Sequence, residues 1–151
     1  MIPRIGETPD RRQRYTLRPG AYVILPLGQS ILLTAQMNEV PDIQLPGGGI
    51  DPGESPRHAL YREVLEETGW SISMPRRLGA VRRFVFMPEY DLWAEKLCMV
   101  YVARPARRIH DPIETDHEIL WLTLREAIDA IGNDGDRLML QRYAKLYAPL
   151  Y

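Results

Sequence analysis

At 151 residues the chain has the length of one domain with a real core, and its 45% hydrophobic and 26% charged residues are ordinary for a globular protein. A formal net charge of −1 gives the whole molecule no electrostatic case for binding nucleic acid, and a single cysteine, Cys98, excludes an internal disulfide and fits a reducing compartment. No apolar run approaches membrane-spanning length and no signal-peptide core follows Met1, so a cytoplasmic protein is expected.

Residues 1–14 are polar, rich in arginine and broken by Pro3 and Pro9; they read as a flexible arm or an extended edge piece, with residues 15–151 as a single domain. Further arginine pairs follow at Arg76/Arg77, Arg82/Arg83 and Arg107/Arg108. Solubility is the ordinary meaning of such pairs, and a phosphate-rich substrate the sharper one. Two apolar runs, residues 21–27 (AYVILPL) and 30–34 (SILLT), flank Gly28-Gln29 in the pattern of an antiparallel hairpin, with Pro26 marking a bulge or an edge. Residues 38–42 form a loop, and a short strand over 43–45 delivers the chain into Pro46 and the run Gly47-Gly48-Gly49. Such a run turns tightly and brings peptide groups close to a ligand.

Ser55 followed by Pro56 starts a helix, one supplying a capping oxygen and the other lacking only an N–H that would go unused. Gly69 is the matching stop. At about 100° per residue, Leu60, Tyr61, Val64, Leu65 and Thr68 fall on one face and Glu63, Glu66 and Glu67 on the other. Neighbouring like charges on a helix repel by a few tenths of a kcal/mol per pair, roughly, so a positive group should offset them. Oxygen ligands with no His or Cys among them suit a hard cation, Mg²⁺ or Mn²⁺.

Beyond the helix, residues 70–73 form a short extended piece ended by Pro75, and residues 78–87 (LGAVRRFVFM) a strand closed by the turn signal Pro88-Glu89-Tyr90-Asp91. Residues 96–103 (KLCMVYVA) read as a strand covered on both faces, with Cys98 a small buried hydrophobe in it. Residues 104–118 look like a loop, 119–122 a strand and 124–131 a short helix; Asn133-Asp134-Gly135 breaks it before a last helix over 136–147. Strands around a central helix, then a strand and two helices, make an α/β domain with a mixed sheet.

Residues 48–70, GGIDPGESPRHALYREVLEETGW, resemble the Nudix box, G-x5-E-x7-R-E-U-x-E-E-x-G-U with U apolar, and every position is met. The resemblance implies a Nudix-type α/β/α sandwich with a central mixed sheet. It also implies a pyrophosphohydrolase that uses Mg²⁺ or Mn²⁺ and cleaves a diphosphate linkage by water attack. Carried over position by position, Glu63 and Glu67 are the principal metal ligands, Glu66 a third and the Gly48 carbonyl a fourth. Glu54 and Arg62 tie the loop to the helix. A carboxylate beyond the box commonly completes such a site or acts as general base; Glu114, Asp116 and Glu118 are the candidates, with Glu114 and Glu118 preferred. Phe84, Phe86 and Trp93 are the aromatics to watch for stacking on a base, although strand aromatics are mostly core.

The resemblance implies a nucleotide-type substrate, a nucleoside diphosphate linked to another moiety, and makes a homodimer an expectation. The run from residue 18 to residue 70 is also similar to bacterial RNA 5′-pyrophosphohydrolases and their dinucleoside polyphosphate relatives, so 5′-phosphorylated RNA stays open. Their usual Gln before the glycines is Gly47 here. A nucleotide-sensing domain that binds without cleaving is the reading from another class, and the intact box speaks against it. An isomerase of the isopentenyl diphosphate type needs a well-placed cysteine, which Cys98 inside an apolar strand does not offer.

Overall fold

Strand β1 (Thr16–Leu27) is the spine on which the other elements assemble. In a strand, successive side chains point to opposite faces. Ala21, Val23 and Leu25 therefore join one buried cluster and Ile24 another. The computed structural model describes residues 1–37, 39–113 and 117–147. The hairpin turn at Gly28-Gln29 leads into β2 (Ser30–Gln36), with Leu25 opposite Leu32 and Leu27 opposite Ser30. Two three-residue strands follow, β3 (Asp42–Gln44) antiparallel to β2 and β4 (Gly47–Gly49) antiparallel to β1. Helix α1 (Pro56–Thr68) precedes the long hairpin of β5 (Trp70–Met87) and β6 (Leu92–Arg108), joined by a 3₁₀ turn over Pro88–Tyr90. The chain continues through β7 (His117–Thr123), α2 (Leu124–Ala130) and α3 (Asp134–Tyr147).

The strand order is β3-β2-β1-β6-β5, with β4 also on β1 and β7 also on β2. Because β1 and β6 run parallel while the remaining pairs among these strands are antiparallel, the sheet is mixed. On one face Leu60 and Val64 of α1 pack on Val23, Leu25, Leu32 and Tyr101. On the other, Ala127, Met139, Leu140 and Tyr143 of α2 and α3 pack on Ile24, Leu33, Val81 and Val100. This is the expected α/β/α sandwich.

Three expectations are corrected. Pro75 does not end a strand. Met74 adopts a left-handed conformation (φ 53°), the β5–β6 register shifts between Ser73 and Arg76, and β5 runs on through this bulge. Residues 104–108 are strand, since β6 reaches Arg108 opposite Trp70. The final helix begins two residues early, at Asp134, because Asn133 caps it by accepting the Asp136 N–H on its side-chain oxygen at 2.8 Å. At the outer strand of the sheet, the Ile5 N–H donates to the Arg82 carbonyl (2.9 Å) and the Arg82 N–H to the Pro3 carbonyl (3.0 Å). Residues 3–5 thus lie parallel along β5.

Candidate active site

Local signals place α1 to the residue. The Ser55 hydroxyl accepts the His58 N–H at 3.1 Å, Pro56 occupies the first helical position, and Gly69 ends the helix at φ 77° with its N–H on the Leu65 carbonyl. Ala59, Leu60, Val64 and Thr68 are buried. Tyr61, expected on that face, points to solvent, while Glu67 is only 7% exposed. The reason is angular: at about 100° per residue Glu67 falls roughly 20° from Leu60, inside the arc spanned by Ala59, Leu60, Val64 and Thr68, whereas Tyr61 lies roughly 100° from Leu60, at the edge of that arc.

Arg62 organises the loop that precedes the helix. Its Nε and Nη2 donate to the two oxygens of Glu54, each at 2.8 Å, in the bidentate geometry that suits a guanidinium and a carboxylate. Nη2 also reaches the Gly49 carbonyl at 3.2 Å, and Nη1 contacts Glu63 at 2.9 Å and Glu66 at 3.5 Å. Glu54 further accepts the Asp51 N–H and lies 3.2 Å from the His58 Nδ1. These hydrogen bonds, that from Arg62 foremost, hold the Glu54 carboxyl down to about 2 and push the Arg62 guanidinium above its usual value. Arg62 is thus the positive charge that offsets the acidic ridge.

The glycines meet the helix at two of its carboxylates. Glu67 accepts the Gly47 N–H at 3.1 Å in a buried contact. Glu63 packs against Gly48 so closely that a Cβ there would fall 2.5 Å from the Glu63 carboxyl carbon. Among the described residues no three carboxylate, imidazole or thiol groups converge on one point. The donor set fits a hard divalent ion nonetheless: it is all oxygen, two of its members are seated against the glycine strand, and the cradle at Gly48 admits no side chain.

The remaining candidates are dispersed. Glu114 lies outside the described residues, as does Asp116; the Ile113 N–H just before them donates to the Glu66 carbonyl at 2.9 Å. Glu118 is exposed on β7, and its alternation with Leu120 and Leu122 puts it on the α2/α3 face of the sheet, opposite to α1. Phe84, Phe86 and Trp93 come together on the β5–β6 hairpin, where Phe86 and Trp93 are cross-strand partners with ring centroids 5.3 Å apart. They line a cleft of about 460 Å³.

Two residues that sequence reasoning treated only as a helix breaker, Asn133 and Asp134, line the same cleft, as does Arg83. Arg83 and Asn133 also border a narrow crevice containing Tyr22, Gln44, Lys96 and Asp136. Tyr22 is the register partner of Gly47. The crevice thus adjoins the aromatic cleft through Arg83 and Asn133, and reaches the glycine strand only through the backbone pairing of Tyr22 with Gly47. Burial raises the pKa of the Tyr22 phenol and of the Cys98 thiol, which lines the same crevice.

A family model described as NUDIX domain matches residues 16–143. The chain belongs to the Nudix family. It is 39% identical over 74 residues to a Bacillus subtilis protein provisionally named 8-oxo-dGTP diphosphatase, covering 49% of this chain and 50% of that one. It is 37% identical over 68 residues to the RNA pyrophosphohydrolase of Proteus mirabilis, covering 45% of this chain and 39% of the relative. These matches span half or less of either relative's length. A Nudix hydrolase structure from Nitrosomonas europaea superimposes with a TM-score of 0.70 over 86% of this chain and 90% of its own at 17% identity, which shows a shared fold.

Within this Nudix fold the box segment forms the loop, helix cap and acidic ridge described above. The signal for Asn133 and Asp134 in the sequence was the turn-forming Asn-Asp-Gly itself, which marks a helix start but not the cleft beside it.

Proposed function

We propose that this Nudix chain is a pyrophosphohydrolase that cleaves the diphosphate linkage of a nucleoside diphosphate joined to another moiety. Glu63, Glu66, Glu67 and the Gly48 carbonyl would hold Mg²⁺ or Mn²⁺. The observation that carries this reading is the join between Glu67 and Gly47, which seats the acidic ridge of the box helix against the glycine strand. A bound divalent ion supplies neutralisation of diphosphate charge and acidification of a water. The chain's own residues do the rest. Arg62 and Glu54 fix the loop that carries the glycines. Phe86 and Trp93, both partly exposed, offer faces on which a base can stack, with Phe84 beside them. Of the two preferred loop carboxylates, Glu114 is our choice for accepting a proton from the attacking water, because the Ile113 N–H just before it donates to the Glu66 carbonyl of the box helix. The nucleotide substrates named for the relatives agree with this class.

The test is a product screen in Mg²⁺ and in Mn²⁺. It offers nucleoside triphosphates, ADP-ribose, nucleotide sugars, dinucleoside polyphosphates and 5′-triphosphorylated RNA. Glu67→Gln keeps an oxygen acceptor for the Gly47 N–H and loses the charge, so the variant should fold normally and turn over about a hundredfold more slowly or worse. Circular dichroism and steady-state kinetics read the two effects. Cleavage that is independent of metal, or near-normal turnover in the variant, would refute the assignment. Metal-dependent cleavage of RNA alone would move the substrate to the RNA class, and silence with tight nucleotide binding would make the domain a sensor.

A further inference from the structure

Residues 1–15 lie outside the span that the family model matches, yet part of this segment builds a wall of the aromatic cleft. We propose that residues 5–7 are a specificity-determining wall that contacts the nucleobase end of the substrate; this rests on the nucleotide reading above.

Ile5, Gly6 and Glu7 line the cleft together with Asn133 and Asp134, and Phe84, Phe86 and Trp93 also face into it. The segment is a strap tied at two points. Its first tie is the pair of backbone hydrogen bonds between residues 3–5 and Arg82. Its second is the Asp10 N–H, which donates to the Tyr15 hydroxyl at 3.0 Å. The Tyr15 ring in turn lies edge-on to Phe84 at 4.9 Å and to Trp93 at 6.1 Å. Between the ties, Arg4 Nη1 donates to the Gly6 carbonyl (3.4 Å) and the Thr8 hydroxyl (3.1 Å), holding the turn at Gly6, whose φ is 83°. Both ties therefore engage the strand pair that carries the aromatic residues, and Ile5 packs partly on the core.

The wall's chemistry suits a base. Ile5 offers an apolar contact, and the exposed Glu7 offers a carboxylate acceptor that matches ring and amino N–H groups, beside an Asp134 already paired with Arg137. In the nucleotide reading the phosphates belong beside Gly47 and Gly48.

Calorimetry in Mg²⁺ tests this with AMP, GMP, CMP, UMP and ribose 5-phosphate. The proteins compared are the full chain, a chain lacking residues 2–9, and Glu7→Ala. The full chain should prefer one nucleoside monophosphate. Truncation should weaken that ligand about tenfold and Glu7→Ala about threefold, within reach of a lost polar contact. Ribose 5-phosphate, which has no base, should bind all three alike. Equal nucleotide affinities, an equal loss for ribose 5-phosphate, or no nucleotide binding by the full chain would each overturn the proposal. If the truncated chain does not fold, Glu7→Ala, at an exposed position, decides. Hydrolysis is not read here, so a chain that binds through the strap without cleaving sinks only the hydrolase reading. One that cleaves with unchanged affinities sinks only the strap.

Discussion

Arg62 touches Glu54, Glu63, Glu66 and Gly49 at once, so the order of the whole box rests on one guanidinium. Its bond with Glu54 leaves a pH signature. The Glu54 carboxyl is lowered from 4.5 to about 2, by its hydrogen bonds to Arg62 first and to the Asp51 N–H second. A carboxylate with a depressed folded value stabilises the fold above its unfolded pKa, and that contribution fades as pH falls towards the folded one. Urea midpoints of the native chain should therefore fall more steeply than those of Glu54→Gln between about pH 5 and about pH 2.5. Parallel curves would mean that the pair contributes nothing to folding. The resemblance to the Nudix box made this pair legible, since Glu54 and Arg62 occupy its motif positions. Tyr61 and Glu67 were harder to place: the acidic type of Glu67 argues for solvent, but its angle puts it beside Leu60 within the buried arc and leaves Tyr61 at the edge.

Helix α1 was readable from end to end because its signals are local: Ser55 and Pro56 at the start, Gly69 at the stop. Gly69 bears a second constraint that no local rule reveals. A Cβ there would collide with the His110 carbonyl oxygen, in the segment whose Ile109 N–H donates to the Gly69 carbonyl at 2.7 Å. Gly69→Ala combines left-handed strain with displacement of that segment and should cost about 2 kcal/mol or more by denaturant titration. A loss of a few tenths, roughly, would show that the segment yields freely. Strands were less legible than the helix. The bulge at Met74 and the extension of β6 to Arg108 are set by each strand's fit to its partner, and a proline in one strand read alone looks like an ending.

The assembly of the site from distant parts was the least legible feature. Nothing near Asn133 announces that α3 begins beside the crevice at Tyr22 and Arg83, because that depends on the parallel pairing of β1 with β6 and on packing across the sheet. Asp136 makes the long-range join. Its Oδ2 accepts the Leu45 N–H at 3.0 Å and the Asn133 amide at 2.9 Å, fastening the start of α3 to the chain that enters Gly47. Burial raises the Asp136 carboxyl above its ordinary value, against the hydrogen bonds that lower it. A carboxyl with a raised folded value stabilises the fold below its unfolded pKa, and that contribution is lost as pH rises through the folded one, so ionisation of Asp136 costs the folded state. The two hydrogen bonds are the gain that offsets it. Asp136→Asn retains an acceptor oxygen without the charge, whereas Asp136→Ala leaves the Leu45 N–H and the Asn133 amide without theirs. The alanine variant should therefore lose about 1–3 kcal/mol at neutral pH and the asparagine variant clearly less, measured by urea denaturation. Because the join leads to the glycine strand, the alanine variant should also raise KM for the substrate found in the product screen. Equal stability and KM in both variants and the native chain would show that α3 is held against the glycine strand by apolar packing alone.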